Sequence, residues 1–184
     1  MDATGGLVPD VETLLRAHGI RAGEDPVEHN GFSGARISRI DQDGTTYWLK
    51  RVSLAGDWIM RGLADVTCRE AEFAVSPVAR ELPPILRVPY VGAARDGDGW
   101  AILSRDVSAS LFPEDGIETA EAWDAILGAI AEMHATFWGR RLEDAGVGWC
   151  PWRERLMLLS PDNVAALSRE GIDFGAPAGW RAFG

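Results

Sequence analysis

Two turns rich in aspartate and glycine, each set between two strand-like runs, most constrain how this chain folds. The turns are Asp41-Gln42-Asp43-Gly44 and Asp96-Gly97-Asp98-Gly99. The flanking runs span residues 35–40, 45–52, 87–94 and 100–104. Turns of this kind join neighbouring antiparallel strands. The sequence therefore predicts two antiparallel hairpins ahead of residue 105.

Helical spacing dominates the other segments. A short helix is predicted over residues 9–18, and helical structure over residues 62–82 with an interruption at Pro77. A longer helix is predicted over residues 119–138, with Thr119 as its N-cap. Its apolar residues recur at the spacing of one helix face, which is predicted to be buried: Trp123, Ile126, Ile130, Met133 and Phe137. The fold class is therefore α+β, with a sheet-rich first half and an α-helical second half.

One lysine in a predicted strand points to a charged site. Trp48, Lys50 and Val52 alternate onto the same strand face, where an ammonium is costly unless an anion meets it. Glu70, on the predicted helix that follows, can supply that anion. Glu72 is the alternative partner, but residues two apart on a helix point in different directions, so only one of the two acids can face the lysine. A surface lysine on an edge strand is the competing interpretation.

Four segments, in this order, resemble a known family. They are Tyr47-Trp48-Leu49-Lys50, Arg69-Glu70-Ala71-Glu72-Phe73, Trp100-Ala101-Ile102-Leu103-Ser104-Arg105-Asp106-Val107-Ser108 and Ala131-Glu132-Met133-His134-Ala135-Thr136-Phe137-Trp138. The chain resembles the N-terminal portion of the aminoglycoside phosphotransferase-like group within the protein-kinase-like superfamily. Its closest likeness is to the choline kinase-like branches, which are small-molecule kinases.

The resemblance implies a division into lobes. Residues 1–24 would form an N-terminal helical extension, and residues 25–104 a kinase-like N-lobe of about five antiparallel strands plus a helix C. Residues 105–108 would be a hinge, and residues 109–184 the beginning of a truncated helical C-lobe.

The resemblance also implies a site for ATP. Lys50 would neutralise phosphates and Glu70 would hold the lysine in place. The turn Gly31-Phe32-Ser33-Gly34 would bring backbone amides and the Ser33 hydroxyl to the phosphates, and the backbone of residues 104–107 would bind the adenine edge. The predicted cofactor-binding residues are therefore Lys50, Glu70, Gly31, Ser33, Gly34, Arg105 and Val107. An ordinary hairpin and an ordinary strand-to-helix loop are the alternatives for these two backbone segments.

Catalytic residues are not evident in this sequence. The family mechanism needs an aspartate that orients the acceptor hydroxyl, and an asparagine and a second aspartate that hold Mg²⁺. Ile172-Asp173-Phe174-Gly175 spells a metal-binding triplet, but the nearest upstream candidate loop, Ser160-Pro161-Asp162-Asn163, lacks the required histidine and spacing. Asp173 is therefore interpreted as a decoy, no metal ligand is assigned, and Mg²⁺ is expected only with a complete C-lobe.

Three hypotheses for function follow. The chain is the front part of an ATP-dependent phosphotransferase acting on a small-molecule hydroxyl and is inactive alone. Alternatively, it is a non-catalytic module that binds a nucleotide or a partner, or an unrelated α+β domain in which Lys50 and Glu70 are structural. If later helices are missing, Trp138, Trp149, Trp152 and Trp180 add to an exposed apolar patch, and self-association is expected.

Composition narrows the partners and the compartment. The net charge of −10 argues against nucleic acid and is compatible with a cationic small-molecule acceptor. Two cysteines without disulfide or metal spacing indicate a reducing, cytoplasmic compartment. No apolar stretch approaches the roughly 20 residues of a membrane span. Cys68 is predicted to be packed rather than reactive, and His134 to be a hydrogen-bonded core histidine.

Overall fold

The computed structural model describes residues 6–28, 33–86, 88–111, 119–141, 143 and 146–171. Its first part, residues 6–111, is called the front region here and contains one sheet with the strand order β1-β2-β3-β5-β4. All neighbouring strands are antiparallel. The strands are β1 (Asp25–Val27), β2 (Arg36–Gln42), β3 (Thr45–Val52), β4 (Tyr90–Asp96) and β5 (Gly99–Arg105). The predicted α+β class and the five-stranded antiparallel sheet are confirmed.

The two predicted hairpins form, with shorter turns than the sequence indicated. β2 continues through Gln42, which pairs with Thr45, so only Asp43 and Gly44 turn the chain. Both have positive φ, 51° and 75°, the conformation that two-residue hairpin turns require. β4 begins at Tyr90, three residues later than predicted, and ends at Asp96.

Both faces of the sheet are covered, because helices from different parts of the sequence pack on opposite sides. α1 (Val11–Ala17) covers one face, and its Leu14 joins a buried cluster with Ile40, Leu49 and Leu103. On the other face, α3 (Arg69–Val75) contributes Ala71 to a second buried cluster. The members of that cluster from the strands include Val52, Ala93 and Ile102. The central strand β3 is therefore enclosed on both sides.

The predicted helical stretch over residues 62–82 is wrong in its first part. Three short helices occupy this region: α2 (Trp58–Gly62), α3 and α4 (Pro77–Glu81). Asp57 caps α2 by accepting from the amides of Ile59 and Met60, so helix formation starts before residue 62. Ala64 and Cys68 have left-handed backbone conformations, with φ of 47° and 58°, which cannot continue a right-handed helix. The predicted interruption at Pro77 is present.

Residues 119–171 are called the rear region, which is helical. After the short 3-10 turn Ser108–Ser110, it contains α5 (Ala120–Phe137), α6 (Trp152–Leu158) and α7 (Pro161–Arg169). Leu158 and Leu167 pack against Trp58 and Leu63 of the front region. The side chain of Leu158 fits because Gly62 has no Cβ; an added Cβ would lie 2.4 Å from Leu158 Cδ1.

α5 begins at its predicted N-cap but does not bury the predicted face. Thr119 Oγ1 accepts from the amide of Ala122 as expected. Trp123 and Ile130 are exposed, and Ala129 is the buried residue of the helix. His134 is also exposed, so its interpretation as a core histidine is wrong, because nothing covers that side of the helix in the described residues. No helix in the described ranges combines the length and apolarity needed to cross a membrane.

Candidate functional site

An ion pair between strand β3 and helix α3 forms the centre of the candidate site. Lys50 Nζ donates to Glu70 Oε2 over 2.6 Å, and the two side chains are 34% and 37% exposed. The sheet fixes the lysine, since Lys50 is paired with Ile37 on one side and Ile102 on the other. Lys50 is also the only lysine of the sequence. A single accessible amine therefore lies beside the cleft.

The neighbours of Glu70 hold its carboxylate toward the lysine. Burial, followed by the charge of Glu70 and a hydrogen bond to it, raises the pKa of Tyr90 to about 12, so this hydroxyl stays protonated. Phe73 packs edge-on against Tyr90 with a ring-centroid distance of 6.1 Å. Glu72, the alternative partner, points elsewhere and accepts from the amide of Gly148 over 2.8 Å. The two acids of α3 thus have different tasks, as the helix spacing indicates.

A cavity of about 290 Å³ opens beside the ion pair. Ser33, Lys50, Cys68 and Glu70 are among the residues that line it. Cys68 is buried, as predicted, and burial together with nearby carboxylates raises the pKa of its thiol to about 11. The thiol is therefore neutral at physiological pH and is not a nucleophile.

The backbone around Ser33 is fixed against the turn that precedes α2. The carbonyl of Ser33 accepts from the amide of Trp58 over 3.1 Å. Gly34 has a φ of 90°, and a Cβ at this position would lie 2.2 Å from the carbonyl oxygen of Gly56. Only glycine fits such a close backbone approach. Gly31, the other glycine predicted to bind phosphate, lies outside the described residues.

The segment predicted to bind adenine lies beyond the cavity. The amide of Arg105 donates to the carbonyl of Pro89 and that of Asp106 to the carbonyl of Thr46, so neither is open to a ligand. The amide of Val107 has no hydrogen-bond partner among the described residues. Arg105 and Val107 do not line the cavity that contains Lys50. The structure therefore brings three predicted residues together, Ser33, Lys50 and Glu70, and leaves these two apart.

Trp48 connects the lysine strand to this segment. It lies two residues before Lys50, on the same face of β3, and is paired with Ser104 of β5. Its indole Nε1 donates to Asp106 Oδ1 over 2.9 Å. Hydrogen bonds from Ser108 and from Trp48 hold the pKa of Asp106 below its usual value, so this acceptor is charged at neutral pH. The indole of Trp48, on the face that bears Lys50, is therefore hydrogen-bonded to the segment that was predicted to bind adenine.

The segment closest to a catalytic loop starts a helix instead. Ser160 caps α7, and Asp162 and Asn163 lie in its first turn. Asn163 Nδ2 donates to the carbonyl of Leu158 over 2.8 Å, which is a structural contact between α6 and α7. Asp173 lies outside the described residues. Across the residues that are described, no group of three or more histidine, cysteine, aspartate or glutamate side chains could hold a metal ion.

Four charged residues of the cavity were missed from the sequence. Asp57, Asp65, Arg69 and Arg155 also line it. Arg69 directly precedes Glu70, and this position next to the predicted site was the available signal. Arg155 lies on α6 and reaches the cavity through tertiary packing, for which the sequence offers no local signal. No family model, no curated protein and no solved structure matches this chain.

Proposed function

We propose that this chain binds ATP in the cavity beside Lys50, as the N-terminal part of a small-molecule phosphotransferase of the aminoglycoside phosphotransferase-like type. The observation on which this depends is the Lys50–Glu70 pair, with 2.6 Å between Nζ and Oε2, at the wall of a cavity that Ser33 also lines. A lysine fixed by a helix glutamate presents a point charge in a defined place, as phosphate binding in kinase-like sites requires.

The size of the cavity supports binding of the phosphate tail rather than of the whole nucleotide. Its volume of about 290 Å³ lies at the lower end of the range typical of small-molecule sites. The tail would lie beside Lys50, where the Ser33 hydroxyl can donate to a phosphate oxygen. The base would lie outside, over Trp48 and toward the amide of Val107, which has no partner among the residues that the structure describes. Stacking on an indole and one backbone hydrogen bond are contacts that a purine can make.

Phosphoryl transfer is not part of this proposal for the isolated chain. A small-molecule hydroxyl is the acceptor that the resemblance implies, but Asp162 and Asn163 occupy the start of α7 and serve its structure. Mg²⁺ accompanying ATP would be held chiefly by phosphate oxygens and water, since Mg²⁺ retains waters and needs few protein ligands. The proposed activity is binding without turnover.

The single lysine permits a specific test. An amine-reactive acylating reagent can modify only Lys50 and the α-amino group of the purified chain, and mass spectrometry separates the two sites. We expect ATP to slow acylation of Lys50 by at least about tenfold at saturation, because a phosphate covers the amine. The α-amino group should react at the same rate with and without ATP.

A matched pair of variants controls for indirect effects. Glu70→Gln removes the charge that positions Lys50, whereas Glu72→Gln changes an acid of the same helix that faces Gly148 instead. We expect ATP protection to weaken in Glu70→Gln and to persist in Glu72→Gln. Absence of ATP protection in the folded wild-type chain would refute the nucleotide-binding proposal and favour a structural role for the ion pair.

A second candidate function, association between copies of the chain, is favoured by the surface of the rear region. Trp123 and Leu127 on α5 are 51% and 59% exposed, and Trp138 just after it is 84% exposed. Contiguous exposed apolar groups of this kind mark interaction surfaces. Light scattering over a concentration series would show a rising mass, and Leu127→Glu should keep the chain monomeric if this surface is responsible.

A further inference from the structure

The cavity beside Lys50 contains hydrogen-bond donors that the protein itself does not use. Its three acids are all engaged: Asp57 caps α2, Asp65 accepts from the amide of Arg69, and Glu70 accepts from Lys50. The formal charges of these acids cancel those of the three lining cations. A preference for an anion must therefore come from cation donors that remain free, rather than from net charge.

Arg69 has one such donor. Its Nη2 donates to Glu154 Oε2 over 3.1 Å, which joins α3 to α6. Its Nη1 is buried and has no hydrogen-bond partner among the described residues. A buried donor without a partner is unfavourable in the free protein, and rotation of the guanidinium toward the cavity would let a ligand oxygen accept from it.

Arg155 adds a second guanidinium to the cavity wall. It lies on α6, is exposed, and has no ion-pair partner in the parts of the chain that the structure describes. α6 is held against the front region by Leu158, which packs with Trp58 and Leu63. Arg153, two residues earlier on the same helix, does not line the cavity. Of these two arginines of α6, Arg155 therefore faces the cavity, and Arg153 serves as a control residue on the same helix.

We propose that Arg69 and Arg155 form a second anion-binding pole of the cavity, in addition to Lys50, which binds the terminal phosphates of a polyphosphate ligand. This second pole rests on the proposed function, in which the polyphosphate is the tail of ATP. An inorganic polyphosphate has the same chemistry. Guanidinium groups suit this role because they offer several donors in one plane and match phosphate oxygens in pairs. The ligand class is thus a nucleoside triphosphate, whose longer and more highly charged phosphate chain can contact the two arginines as well as Lys50.

Titrations of the purified chain with ATP, ADP, AMP and inorganic tripolyphosphate test this pole. Binding is measured by calorimetry and by the protection of Lys50 from acylation. We expect ATP and tripolyphosphate to bind at least about tenfold more tightly than ADP and AMP. In Arg155→Ala the affinity for ATP should fall about tenfold and approach that for ADP, while Arg153→Ala should leave both unchanged. Arg69→Lys, which keeps a charge near Glu154, should also reduce the preference for ATP over ADP.

The outcomes separate this inference from the proposed function. Equal ATP affinities in wild type, Arg155→Ala and Arg153→Ala would overturn the second pole while nucleotide binding stands. Tripolyphosphate binding that depends on Arg155, without tighter binding of ATP, would support the pole and refute the nucleotide. Binding of neither ligand would refute both.

Discussion

The front and rear regions use apolar residues in opposite ways. In the front region, the strand residues Ile40, Leu49 and Leu103 are fully enclosed because α1 covers the face of the sheet on which they lie. In the rear region, α5 is the longest helix of the chain, yet it makes no extensive contact with any other described element. Leu127 is 59% exposed there, although it is the same residue type as the fully buried Leu49.

This difference shows what hydrophobic periodicity can and cannot indicate. A repeating apolar pattern shows that one side of an element is suited to burial. Whether that side is buried depends on a second surface, which the pattern does not contain. For β3 the second surface comes from helices nearby in the sequence. For α5, the described residues contain no element that covers the side bearing Trp123, Leu127 and Ile130.

The largest expected effect compares two leucine truncations. Leu49→Ala should lower the free energy of unfolding by about 3 kcal/mol, because it leaves a cavity in an enclosed core. Leu127→Ala should change it by no more than about 0.5 kcal/mol, because the side chain is already largely in water. Urea unfolding of both variants measures the comparison. Similar losses in the two variants would mean that α5 is covered in solution, by a second copy or otherwise.

A pair of glycine substitutions should give smaller effects of opposite sign. Gly34→Ala should destabilise the chain by about 2 kcal/mol, because the new Cβ meets the carbonyl of Gly56 in a left-handed conformation. Gly128→Ala, inside α5 with open space around it, should stabilise the chain by about 0.5–1 kcal/mol through helix propensity. Thermal unfolding of both variants measures the two changes in stability. A destabilising Gly128→Ala would show that the surface of α5 is occupied.

The smallest expected effect is a pH dependence confined to the front region. The pKa of the Cys68 thiol rises from 9.0 to about 11 on folding, so the unfolded chain loses this proton first as the pH increases. The thiol's contribution to the free energy of unfolding is fully present below pH 9 and is lost as the pH rises from 9 to 11. At pH 10 this loss amounts to about 1 kcal/mol. Tyr90, with a pKa raised to about 12, extends the loss to higher pH.

Cys68→Ala provides the control for this pH dependence. It should be less stable than wild type at pH 7, because a packed sulfur is removed, and its stability should decline less between pH 8 and 10. Unfolding midpoints measured at several pH values give the two slopes. Parallel slopes for wild type and Cys68→Ala would show that the thiol is not shielded as the structure indicates.

Much of the front region could be predicted from the sequence because its signals are local. The turns at Asp43-Gly44 and Gly97-Asp98 fix two hairpins, and strand alternation places Lys50 on the face that α3 covers. The region between α2 and α3 could not be predicted, since Ala64 and Cys68 adopt left-handed conformations that their residue types do not favour. The wall formed by Arg155 could not be predicted either, because it depends on how α6 packs.

The contact between Gly62 and Leu158 has a consequence for how this sequence can change over evolutionary time. Arg155 reaches the cavity only while α6 stays close to α2, and α6 stays close because Gly62 leaves room for Leu158. A single added methyl group at residue 62 would lie 2.4 Å from Leu158 Cδ1, so the Leu158 side chain would have to shift and the packing beside Arg155 would change. Selection for a ligand would therefore act on a glycine that does not line the cavity, and residues 62 and 158 would be expected to vary together among descendants of this sequence.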